Sequence, residues 1–185
     1  MQFIKTGFKD LWLCEPRVFG DHRGYFFEAF NKEEFKQETG LEVEFVQQNE
    51  SHSSKGVLRG LHLQQGDFAQ AKFIRVLHGS VLDVVVDLRK DEPTFGKQYQ
   101  VELTAENKRQ LFVPRDFAHG FLVTSETATF VYSCDNFYAP EHELSLSFFD
   151  EKLGIELPLS KEELKLSRKD EEALKFDDVV KKLYG

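Results

Sequence analysis

Short apolar and alternating runs, broken repeatedly by turn residues, fill the middle of the chain. Their pattern predicts strands at 43–48, 57–64, 72–77, 80–88, 99–103, 110–114, 120–123, 128–135 and 144–148. The separators are Ser53-Ser54-Lys55-Gly56, His78-Gly79 and Ser125-Glu126. Short strands at this spacing predict an all-β sandwich or closed barrel. Upstream, 11–16 reads as a strand, Asp21-His22-Arg23-Gly24 as a turn and 25–30 as a further strand. Asn31, with Glu34 three residues on, caps a short helix that Gly40 stops. Near the C-terminus Ser167 and Asp170 are spaced as a capping box opening a helix through Ala173, and 177–183 predicts another. The chain reads as one domain over 1–185, with a barrel core at about 43–149 and a C-terminal helical segment at about 160–185 packed across it.

Side chains two apart on a strand share a face, so Gly60, His62 and Gln64 point one way. Leu58, Leu61 and Leu63 are free to pack. A group that titrates near neutrality is thereby set among apolar neighbours, where it is either a satisfied core histidine or a proton-transfer base. The run itself leaves both open. Asp83 and Asp87 lie four apart on one strand face with Val85 between them. Each alone reads as solvated; the alternative turns them inward toward a pocket.

Composition narrows the partners. The length of 185 residues is enough for one real core, and 19 Phe suit β-rich packing. The chain carries 24 Lys and Arg against 32 Asp and Glu, a net charge of −8, which disfavours nucleic acid. A small anionic ligand would need the basic residues gathered in one cleft. Cys14 and Cys134 form no CxxC pair and no metal-ligand spacing, and read as reduced thiols of a cytoplasmic protein. The first eight residues carry one lysine, Lys5, and no apolar core, so no signal peptide is predicted. No run approaches the ~18–20 apolar residues of a membrane span.

A small barrel with a glycine–histidine pattern resembles the cupin superfamily. One cupin motif runs Gly, five residues, His-x-His, then a Glu six residues before a Gly. Here Gly56 precedes His62 by that spacing, but Gln64 stands at the second His and Lys72 at the Glu before Gly79. In the second motif His119 is kept. An ammonium repels a cation, and two imidazoles with one amide make a weak site. The residues point to a cupin-like barrel without a metal, its pocket given to acid–base work by an imidazole, an ammonium and arginines.

Longer stretches carry a closer resemblance. They are EPRVFGDHRGYFFE at 15–28, FVQQN at 45–49, VLRGLHLQ at 57–64, DVVVDLR at 83–89 with PTFG at 93–96, AENKRQL at 105–111, FAHGF at 117–121, Tyr132, Tyr138-Ala139-Pro140 with Glu143, and LSRKD at 166–170. Together they resemble the dTDP-4-dehydrorhamnose 3,5-epimerase family, whose members are cupin-like jelly rolls. The resemblance implies cofactor-independent epimerisation of a dTDP-linked 4-keto-6-deoxy sugar at C3 and C5, on the way to L-rhamnose. It implies His62 as base, Asp170 as its partner, Tyr132 as the acid on the opposite face and Lys72 as stabiliser of the enolate oxygen. Arg59, His119 and Lys169 would contact sugar or diphosphate; Gln47, Gln48, Asn49 and Glu143 would complete the pocket; Tyr138 would stack on thymine. Arg23 and Glu28 match a segment that reaches the ligand from the neighbouring subunit, so the resemblance also implies a homodimer with strands exchanged. Phe137, Gln48, Phe148, Leu157 and Ala71 depart from residues usual in the family, and leave open a single-centre epimerase of a related sugar. A non-catalytic sugar-binding module is the alternative from another class.

Overall fold

The structure, a computed structural model, describes residues 1–185. Strands β1 (Gln2–Lys5), β2 (Trp12–Glu15), β3 (Phe19–Asp21) and β4 (Gly24–Phe26) precede helix α1 (Lys32–Thr39). Then come β5 (Gln47–Ser54), β6 (Leu58–Gln64), β7 (Lys72–His78), β8 (Ser80–Asp87) and β9 (Gln98–Thr104). β10 (Gln110–Val113), β11 (Phe117–Val123), β12 (Thr127–Cys134) and β13 (Glu143–Ser145) complete the strands, and α2 (Arg168–Glu171) and α3 (Phe176–Tyr184) follow.

Two antiparallel sheets face each other in a cupin-like jelly roll. One has the order β1-β2-β10-β7-β12-β5 and the other β13-β6-β11-β8-β9; β3 and β4 form a separate hairpin. Period-two alternation sorts the apolar residues into three layers. Ile74, Val76, Val81, Val85, Phe121 and Phe130 pack between the sheets. Leu58, Leu61, Leu63, Val84 and Val86 face outward and are covered by the C-terminal segment, including Val179 of α3. Phe73 and Phe112 cover the far side of the other sheet, beneath Phe35 of α1. Asn31 Oδ1 accepts from the amides of Glu33 and Glu34, and Gly40 takes the left-handed conformation that ends α1, as the sequence predicts.

Six expectations need correction. The strand expected at 25–30 ends at Phe26, and the one expected at 144–148 ends at Ser145. β5 lies at Gln47–Ser54 rather than 43–48, because all of it pairs with β12, from Gln47↔Cys134 to Ser54↔Thr127. Backbone pairing does not require apolar side chains, so polar Ser51–Ser54 belong to the strand, while Val43 packs under α1. β11 starts at Phe117, where it pairs with Asp87. α2 is a four-residue turn and not a helix reaching Ala173. Asp83 and Asp87, read singly as solvated, are fully buried. They lie on the inward face of β8 with Val81 and Val85, and each has a polar partner: His119 for Asp83, Arg89 and Thr94 for Asp87.

One irregularity sets the geometry of β6. On β11 His119 and Phe121 are two apart, but their partners on β6, His62 and Arg59, are three apart. The extra residue is a β-bulge at Gly60, with φ of 110°. It slips the alternation by one, so Leu58 and Leu61 share the outer layer while Arg59 and His62 both face inward. A Cβ on Gly60 would lie 2.6 Å from Gly120 Cα and 2.7 Å from the His119 carbonyl oxygen. Only glycine allows β6 and β11 this close.

Candidate active site

The sheets leave a cavity of about 540 Å³ at one end of the interior. β6 supplies Arg59 and His62, β11 supplies His119, β5 supplies Asn49, β7 supplies Lys72 and β12 supplies Tyr132. The C-terminal segment closes one side with Lys165, Ser167, Lys169 and Asp170. That segment is held by backbone bonds: Lys165 N–H donates to Gly56 O and Leu58 N–H to Lys165 O. A second cavity of about 320 Å³ shares His62, Lys72, Tyr132 and Lys169 with the first and runs on to Gln47, Gln64, Tyr138 and Glu143.

His62 and Asp170 form a dyad. His62 Nε2 lies 2.7 Å from Asp170 Oδ1. Asp170 Oδ1 also lies 3.4 Å from the Gly60 amide, and Oδ2 accepts from the Ser167 hydroxyl at 2.7 Å. Burial alone would raise the Asp170 pKa, but these hydrogen bonds with His62 and Ser167 outweigh it and hold the carboxyl below its ordinary range. An ionised Asp170 keeps the proton on Nε2, leaving His62 Nδ1 as the basic nitrogen, with Glu143 Oε1 4.0 Å from it.

Tyr132 stands on the opposite sheet, opposite Asn49 in the register. Burial pushes its phenol pKa up, so it holds its proton at neutral pH. Lys72 Nζ lies 3.5 Å from the His62 carbonyl oxygen and 6.0 Å from the centre of the Tyr132 ring. Burial draws the Lys72 pKa down. His119 Nε2 lies 3.0 Å from Asp83 Oδ2, and burial lowers the imidazole pKa despite that carboxylate. Lys169 Nζ donates to Glu143 Oε2 at 2.6 Å, and the Tyr138 hydroxyl donates to the same oxygen at 3.1 Å. The Arg59 guanidinium donates to Ser53 Oγ at 3.1 Å.

Arg59, Lys72, Lys165 and Lys169 thus share a cavity whose carboxylates are Glu50 and Asp170. In a chain of net charge −8, that concentration suits an anionic ligand. The donors are poorly arranged for a cation: Lys72 is an ammonium, and Gln64 has its amide committed to backbone groups of Phe68, Phe137 and Ala139.

Most of the side chains singled out in the sequence fall in these two cavities. His62, Lys72, Tyr132, Asp170, Asn49, Arg59, His119 and Lys169 meet in the larger, and Gln47, Glu143 and Tyr138 line the smaller. Arg23 is an exposed hairpin residue paired with Asp21, and Glu28 lines neither cavity of its own chain. Gln48 is a correction: it points out of the barrel and donates to Ser133 Oγ. Gln47 and Asn49 face inward on β5, so the residue between them must face away. Ser167 and Lys165 are site residues that the sequence does not announce. Ser167 carries only the signal of a helix cap, three residues before Asp170.

The sequence profile of the dTDP-4-dehydrorhamnose 3,5-epimerase family matches residues 5–178. The chain is 49% identical over 180 residues to the dTDP-4-dehydrorhamnose 3,5-epimerase of Salmonella typhimurium, covering 97% of this chain and 98% of the relative. A crystal structure of the enzyme of that name from Elizabethkingia anophelis superimposes with a TM-score of 0.93 at 54% identity, over 96% of this chain and 97% of the other. The dTDP-6-deoxy-D-glucose-3,5-epimerase of Legionella pneumophila, solved with dTDP-4-keto-L-rhamnose, gives 0.90 at 43% identity, over 97% and 96%.

Proposed function

The chain belongs to the dTDP-4-dehydrorhamnose 3,5-epimerase family, a family of isomerases, and from that premise we propose that it inverts C3 and C5 of dTDP-4-dehydro-6-deoxy-D-glucose to give dTDP-4-dehydro-L-rhamnose without a cofactor. Both carbons flank the C4 ketone, so each C–H is acidic enough to be taken by a positioned base. His62 Nδ1 removes the proton, and the electron pair moves onto the ketone oxygen as an enolate. The Lys72 ammonium stabilises that oxygen. The enolate then collapses, and the same carbon takes the phenolic proton of Tyr132 from the other face, which inverts the centre. His62 and Tyr132 return to their starting states by proton exchange with solvent. Asp170 orients the imidazole and stabilises the imidazolium, as carboxylates do in other His–carboxylate pairs.

One observation carries this reading. The His–Asp dyad and the phenol belong to opposite sides of one cavity, and the Lys72 ammonium in it lies 3.5 Å from the His62 carbonyl oxygen and 6.0 Å from the centre of the phenol ring. Arg59, His119 and Lys169 are proposed to hold the sugar and diphosphate. Gln47, Asn49 and Glu143 line the nucleotide end, and Tyr138 stacks on thymine at its rim. A homodimer is proposed, with Arg23 and Glu28 carried into the partner's site by the hairpin β3–β4. Val18, Phe19, Tyr25 and Phe26 there are 44%, 50%, 62% and 70% exposed, an apolar surface that a second chain would cover.

The test is turnover of the dTDP-4-keto-6-deoxy sugar in deuterium oxide. Deuterium is expected at both C3 and C5. Exchange at one carbon alone would mark a single-centre epimerase. Tight binding with no exchange would mark a binding module. Tyr132→Phe is expected to keep exchange but to lose correct inversion; unchanged rate and stereochemistry would remove Tyr132 from the acid role.

A further inference from the structure

We propose that Gln64 is a positioning residue that fixes the nucleobase platform, Tyr138, relative to the base His62, a role that rests on the stacking of Tyr138 proposed above. Gln64 occupies the place of a metal-binding histidine in the cupin pattern, yet its amide is fully engaged elsewhere. Nε2 donates to Phe68 O at 2.7 Å and to Phe137 O at 3.1 Å, and Oε1 accepts from the Ala139 amide at 2.7 Å. The side chain is 4% exposed. Two of these bonds hold the backbone on either side of Tyr138. From the other sheet, Gln47 Oε1 accepts from the Tyr138 amide itself at 3.0 Å.

The two ends of the clamp are what matter. Tyr138 is 54% exposed, and apart from the hydroxyl's bond to Glu143 Oε2 its place depends on the backbone beneath it. Gln64 is two residues from His62 on the inward face of β6. The clamp therefore ties the stacking platform and the catalytic imidazole to one strand. A nucleotide sugar bound by its base would present its sugar carbons at a set distance from His62.

An amide is required because the site needs two donor hydrogens and one acceptor from a single planar group. Leucine fills similar space and makes none of these bonds. An ionised glutamate faces two carbonyl oxygens with no hydrogen to offer; a protonated one regains a donor. Buried backbone groups that lose their partners reorganise the loop rather than stay unpaired.

The experiment measures dTDP affinity by calorimetry, with steady-state kinetics, for Gln64→Leu, Tyr138→Ala and the double variant. Gln64→Leu is expected to raise the dTDP Kd about tenfold, the scale of one lost hydrogen-bonded contact, and to raise KM more than it lowers kcat. In the Tyr138→Ala background the same change is expected to have less than about a twofold effect, because coupled residues are not additive. An unchanged Kd in folded Gln64→Leu, or the same tenfold factor without Tyr138, overturns the proposal. If Tyr138→Ala leaves the Kd unchanged, it is the stacking reading that fails. Should Gln64→Leu not fold, Gln64→Glu decides: its dTDP Kd relative to the unmodified protein is expected to improve as pH falls and the introduced carboxylate gains a proton, and a pH-independent ratio overturns the clamp.

Discussion

Asp170 illustrates how much one residue carries. It accepts from His62, Ser167 and the Gly60 amide, so it joins the His62 imidazole, the C-terminal segment and the β6 bulge. Asp170→Asn is expected to cut kcat by at least about a hundredfold, with KM little changed, because the amide no longer fixes the imidazole tautomer; single-turnover kinetics check it. The same carboxyl is held below its ordinary pKa. Between its folded and unfolded values the unfolded chain binds the extra proton, so stability rises with pH there. Its contribution is complete above about pH 4, the unfolded value, and is lost as pH falls through the folded value. Denaturant melts should therefore lose stability in acid more steeply for the unmodified chain than for Asp170→Asn. For Lys72 the direction is set by burial, which lowers its pKa. The alkaline limb of kcat/KM is expected below the ordinary lysine range, ahead of Tyr132, whose pKa is raised. Lys72→Arg should move that limb upward, with lower activity, in a pH–rate profile. At this scale the sequence names the dyad, the phenol and the ammonium through their motifs. It cannot phase Gln48, since a side-chain direction on β5 depends on a register set by β12. The alternation of β8 alone leaves Asp83 either solvated or turned inward, and its partner His119 on β11 decides for the interior.

Among the elements, the bulge in β6 decides what the cavity contains. It turns Arg59 and His62 inward together, which a regular strand would forbid. Gly60→Ala would put a methyl group against the backbone of β11 at a φ that alanine rarely adopts. The expected cost is at least about 2 kcal/mol, combining backbone strain and overpacking; chemical denaturation checks it, and activity should fall further than the folded fraction. The run at 57–64 announces a strand, but nothing in it announces the bulge, because a glycine in a strand is compatible with several conformations. The position of β5 is hidden for a related reason. All of it, Gln47–Ser54, lacks apolar residues and is a strand because β12 pairs with it. Strands with strong alternation, β7, β8 and β12, are readable nearly to their ends.

At the scale of the whole molecule, the mainly β sandwich is legible from the spacing of its strands, and the cation-rich cleft resolves how an acidic chain can hold an anionic ligand. In the hairpin β3–β4, Phe19, Tyr25 and Phe26 are half or more exposed in a single chain. If it exchanges with a partner, Tyr25→Asp with Phe26→Asp should shift the mass measured by light scattering from dimer to monomer, and the monomer should bind dTDP more weakly because Arg23 and Glu28 are withdrawn. A mass unchanged by both substitutions would remove the hairpin from the interface. The bulge at Gly60 has a bearing on folding as well. An extra residue in one strand of a ladder fits its neighbour in only one alignment, so β6 cannot slide past β11 without losing it. A molecule trapped one residue out of step would still bury leucines, still melt cooperatively and still show a β spectrum, yet it would carry its imidazole on the wrong side of the sheet. Specific activity per folded molecule is therefore sensitive to alignment fidelity in this strand pair in a way that secondary-structure content is not.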